Sequence, residues 1–169
     1  MSGGSFFMAA IAIAIFGISD LTTAQRKLKL GRVCGDPTAV CKGRENFAPS
    51  DLPFDVGRNF VFSESECFYG IVLRSQRMIP EWGDCGRPMF PEPERLEIQA
   101  LFPRNKVFAF NCYEAAFIYY NGVAGKTAFI GIYAGRTLPE AKAFLKIVQA
   151  TKKFPGIRLR RMQVGINGT

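Results

Sequence analysis

Five cysteines and a scatter of carboxylates, arginines and aromatics are the side chains with which this 169-residue chain could do chemistry, and histidine is not among them. Without imidazole there is no Ser/His/Asp or Cys/His nucleophile pair and no His-containing zinc site. No side chain has an unperturbed pKa near neutrality. Enzymatic chemistry would have to rest on carboxylates, lysine, tyrosine or backbone groups. Glu64 and Glu66 are the nearest to a carboxylate pair, and at i, i+2 before a strand they read as solvated gatekeepers rather than as an acid and base. The sequence holds no phosphate-cradling glycine loop and no carboxylate cluster spaced for a metal, so no metal or cofactor is expected.

The cysteines point to disulfides. None forms a Cys-x-x-Cys pair, which removes zinc-ribbon and thioredoxin-type readings. Cys34 and Cys41 enclose GDPTAV, whose Gly35 and Pro37 suit a tight turn. Cys85, in the loop EWGDCGRP, and Cys112, at the end of an apolar strand, form the next pair. Loop-closure entropy would make the two bridges worth about 2.5 and 3.5 kcal/mol. Cys67 is left over and reads as a buried small hydrophobe.

The N-terminus explains where such bridges could form. Residues 6–18 (FFMAAIAIAIFGI) are an uncharged apolar run, followed by a short polar stretch and the small-residue pair Thr22-x-Ala24. As a helix the run reaches about 20 Å, short of the roughly 30 Å hydrocarbon layer, so residues 1–24 are expected to be a signal peptide cleaved before Gln25. The mature protein would be secreted or periplasmic, without a stable membrane span. Arg26, Lys27 and Lys29 follow the run and no Lys or Arg precedes it; under the positive-inside rule an uncleaved segment would hold that basic side in the cytoplasm, the reverse of export, so a membrane-anchored or cytoplasmic domain is the alternative. Cleavage removes one acid and no base, raising the net charge from +8 to +9 (22 − 13).

Residues 25–62 carry turn formers and little periodicity, and are expected to form an irregular arm packed over the domain at 63–169. That domain alternates strand and helix patterns. Strands are predicted at 68–75, 106–112, 127–135 and 157–166, and helices at 93–102 and 138–153. Thr137 with Glu140 is a capping box, and Ala141, Phe144, Leu145 and Val148 form an apolar stripe. An added strand at 116–123 is expected to make a hairpin with 127–135. Phe68-x-Gly70-Ile71 matches Phe129-x-Gly131-Ile132, and Pro93-Glu94 matches Pro139-Glu140, as if one βαβ unit were used twice.

Two such units predict an α+β fold: a ferredoxin-like βαββαβ sandwich, with a four-stranded antiparallel sheet and both helices on one face. Alternation places Ile71, Leu73, Ile130 and Ile132 under the helices, with Met162, Val164 and Ile166 beside them. The open face would then carry Phe68, Arg74, Phe129, Tyr133, Arg161 and Gln163, a set of rings and hydrogen-bond donors suited to ligand binding. The competing expectation is that the arm itself covers this face.

The segment IYAGRTLPEAKAFLKIV (132–148) resembles the half-repeat of the sporulation-related repeat (SPOR) family, and the likeness extends over about 67–166. That family's Gln-x-Gly-Ser-Phe element is missing here. The resemblance implies an exported, non-catalytic module that binds peptidoglycan glycan. An envelope protein is the alternative partner. KTAFIGIY (126–133) also resembles the third-strand motif of RNA-recognition domains, keeping its first Lys and last Tyr. That reading requires a cytoplasmic domain behind an uncleaved leader, so export argues against nucleic acid as the partner. The basic clusters Lys152-Lys153 and Arg158-Arg160-Arg161 read as solvated faces.

Overall fold

A computed structural model describes Met1 and residues 29–43, 47–56, 62–79, 86–112 and 118–167. The leader assigned to 1–24 therefore lies outside the described residues, except for Met1. Six strands and two helices follow in the order β1 (Phe62–Glu64), β2 (Phe68–Arg77), α1 (Glu92–Leu101), β3 (Val107–Phe110), β4 (Ile118–Asn121), β5 (Thr127–Gly135), α2 (Leu138–Ala150) and β6 (Arg158–Asn167). Among the described residues no helix is long and apolar enough to cross a membrane.

The local signals act where they stand in the sequence. Thr137 caps α2 and Glu140 returns the bond, closing the capping box. α1 starts without a side-chain cap, but Glu92 and Glu94 lie in its first turn, where the helix dipole favours negative charge.

The expected four-stranded ferredoxin-like sandwich is not this fold. All six strands join one antiparallel sheet with the path β1-β6-β2-β5-β3, and β4 is added on β6. β4 therefore makes no hairpin with β5; it pairs Ile118 with Ile166 through Asn121 with Gln163. The sheet curls until its ends meet: Phe108 of β3 stacks on Tyr120 of β4 at 5.2 Å, and Phe110 meets the same ring at 5.8 Å.

Curling gives the sheet two filled faces. On the helix side Ile71, Leu73, Ile130 and Ile132 are buried with Ile98 of α1 and Ala141 and Val148 of α2, as alternation predicts. On the other side Phe68, Phe108, Tyr120 and Phe129 form a second core, and the arm supplies Val33, Leu52, Phe54 and Val56 to it. Met162, Val164 and Ile166 belong to this second core, not to the helix side. The reason is register: Phe68 pairs with Met162, and directly opposed residues share a face.

The arm is held by backbone bonds as well as by apolar burial. Val33 bridges Phe54, Ala109 N donates to Ser50 O at 2.8 Å, and Lys106 N donates to Gly35 O at 2.7 Å. The Ala109 bond takes up part of the outer edge of β3, which would otherwise be open for pairing. Lys106 itself is buried and donates through Nζ to Pro49 O at 2.6 Å.

Candidate functional site

The arm decides what the second sheet face can do. Phe68 and Phe129 are 0% and 1% exposed, so neither ring can receive a ligand from solvent. Tyr133 is half-buried, with one ring face stacked on Phe68 at 5.8 Å. Its other side lies against the arm, since a Cβ on Gly35 would fall 2.1 Å from ring carbon Cε1. The edge and hydroxyl of Tyr133 remain available, and its stacking faces do not.

The other three residues of the expected platform are not beside these rings. A bulge between Val72 and Arg74 puts Leu73 and Arg74 on the same side, opposite Ile130, and Arg74 bonds Glu94 on α1. Arg161 pairs across the ladder with Tyr69 on the helix side of β2. Gln163 donates to Ser65 O at 2.9 Å and fixes the step between β1 and β2. The six residues are thus spread over two faces and do not converge.

A cleft of about 720 Å³ lies instead where the arm meets the end of β5. One wall is the loop closed by the Cys34–Cys41 disulfide; the other is Tyr133, Gly135 and Arg136, with Glu140 behind them. Gly135 has φ +129°, and a Cβ there would lie 2.8 Å from Glu140 Cβ, so the turn into α2 needs glycine. The Glu140 carboxylate accepts from the backbone N–H groups of Arg136 and Thr137 at 3.0 Å each. The N-terminus of α2 is thereby filled by its own chain.

The electrostatics of this cleft are simple. Arg136 pairs with Glu66 at 2.7 Å. Burial pushes the Tyr133 hydroxyl above its usual range, so it stays protonated at neutral pH. Hydrogen bonds from Thr38 hold Asp36 below the ordinary carboxylate range, and those from Thr137 and Arg136 do the same for Glu140. Each of these groups moves away from neutrality, which suits holding a ligand better than passing a proton to it. Arg32 and Lys42 also line the cleft, both exposed, and no described carboxylate is ion-paired to either.

Comparison of the chain with known protein families, characterised proteins and solved structures finds no match. The site's chemistry therefore rests on its own residues. Glu64 accepts from Tyr119 at 2.9 Å while Glu66 holds Arg136, so the two carboxylates of the sequence pair serve separate bonds. Cys112 is disulfide-bonded, and Cys85, its predicted partner, lies outside the described residues. Cys67 is a free, partly buried thiol. Among the described residues no group of His, Cys, Asp or Glu could hold a metal ion.

Sequence reasoning passed over Arg32, Lys42 and Arg136. A signal for the first two was present: Arg32 stands two residues before Cys34 and Lys42 directly after Cys41. Closing that disulfide brings both cations to the neck of one loop, and they line the same cleft.

Proposed function

We propose that this protein is an exported, non-catalytic binding module, and that its ligand enters the cleft between the disulfide loop and the end of β5. The observation that carries this reading is that two exposed cations without an ion pair among the described residues, Arg32 and Lys42, line one cleft of about 720 Å³ with Tyr133, whose hydroxyl is neutral. Cations recognise carboxylates through charge-assisted bonds, and a protonated phenol offers a hydrogen bond to hydroxyl or amide oxygen. Peptidoglycan glycan presents both kinds of group, since its muramic residues carry carboxylates among hydroxyls and acetamides. The likeness of residues 132–148 to a SPOR half-repeat supports the same ligand class. Export is supported by the leader-like residues 1–24 and by the Cys34–Cys41 bridge, since disulfides persist in oxidising compartments.

The test is co-sedimentation with purified peptidoglycan, comparing the wild type with Arg32→Ala/Lys42→Ala and with Arg74→Ala. The double variant should lose retention about ten-fold, and Arg74→Ala, which lies on the helix side, should keep it. Equal retention of all three, or none by any, would reject the glycan reading.

A further inference from the structure

β6 is ten residues long, and one of its edges is only half used. Along one side Arg158–Met162 pair with β2 and Gly165–Asn167 pair with β1. On the opposite side β4 pairs with Gln163–Ile166 alone. There the chain turns away at Gly122, whose φ is +92° and where a Cβ would fall 2.2 Å from Arg161 O. Gly122 thus lies against the Arg161 carbonyl, and Arg158–Arg160 are left on that edge with no strand partner among the described residues. Three residues of strand give an edge of about 10 Å.

This stretch gathers three cations on one short run of strand. Arg158, Arg160 and Arg161 are exposed, and none has an ion pair among the described residues. Arg158 and Arg160 project to the side of Met162, and Arg161 to the side of Leu159, as strand alternation requires. A free ladder edge offers backbone N–H and C=O groups to an extended chain, and cations on both of its sides select the charge of what pairs there.

We propose that the Arg158–Arg160 edge of β6 docks an extended acidic segment of a partner protein by strand addition. Backbone bonds supply the pairing. Asp or Glu at alternate positions of the incoming segment lies on one side of the ladder and meets Arg158 and Arg160 there. This surface is separate from the cleft at Arg32 and Lys42, so its occupancy does not depend on the glycan reading.

Fluorescence polarisation with two labelled, end-blocked hexapeptides of equal charge tests the proposal. One alternates Glu with Val and can form a strand; the other has the same side chains but every backbone nitrogen methylated, and cannot donate to a ladder. The Glu-Val peptide should bind the wild type, lose about ten-fold in affinity for Arg158→Ala/Arg160→Ala, and keep its affinity for Arg32→Ala/Lys42→Ala. These side chains are exposed, so the variants should retain the wild-type circular dichroism. Equal binding of both peptides would show charge attraction without strand addition and overturn the proposal. Binding of neither would show that the arginines only guard the edge against pairing, and would overturn it as well.

Discussion

Phe54→Ala removes the ring that pins the arm to the sheet. Phe54 is fully buried in the second core, and its ring lies 5.4 Å from that of Phe47. A Cβ on Gly31 would come 2.6 Å from Phe54 Cδ2, so the arm backbone is packed directly onto this side chain. Truncating a buried Phe removes its transfer energy and leaves a cavity, at a cost of about 3–5 kcal/mol. For a domain of this size that corresponds to roughly 6–20 °C in midpoint temperature. The assay is urea denaturation followed by circular dichroism, with thermal melts alongside. If the arm is part of the domain, the variant unfolds in one transition displaced by that amount. A shift worth less than about 1 kcal/mol would refute the inference that the arm closes the second core.

Two further perturbations probe the neighbourhood of the cleft. Cys34→Ser/Cys41→Ser should cost about 2.5 kcal/mol in denaturation, from the lost loop closure, and should weaken peptidoglycan retention because Arg32 and Lys42 lose their common frame. Burial pushes the Asp51 carboxyl up despite a bond from Ala48 N and the nearby Lys106. A raised folded pKa means its contribution is fully present below the ordinary carboxylate value and is lost as pH rises through the folded value. Asp51→Asn, which keeps the acceptor, should therefore flatten that decline when melts are compared between pH 4 and pH 7; an unchanged pH profile would contradict it.

The parts of the fold that were legible in the sequence are those written locally. The α2 capping box needs only Thr137 and Glu140, and β5 follows from a short apolar run rich in Ile and aromatic residues that is bounded by Gly125 and Gly135. What periodicity does not carry is the choice of partner. β4 has a strand's residues, but its pairing with β6 rather than β5 depends on contacts more than forty residues away. The bulge after Val72 has no marker in FYGIVLRS, yet it moves Arg74 to the helix side. Alternation likewise separates two faces of a strand without saying what covers each. Phe68 and Phe129 look the same in sequence whether a ligand or Leu52 and Phe54 lies over them.

The cleft was legible only in part. The spacing of Cys34 and Cys41 implied a closed loop, and the cations beside it were within reach of the same argument. Its opposite wall was not, because Arg136 is held there by Glu66, a residue far from it in sequence.

Hydrogen–deuterium exchange in the presence of a soluble glycan fragment of alternating N-acetylglucosamine and N-acetylmuramic acid tests the binding site most directly. The account predicts added protection confined to peptides covering 32–42 and 133–136, and its loss in Arg32→Ala/Lys42→Ala. Protection elsewhere, or none at saturating fragment, would contradict it.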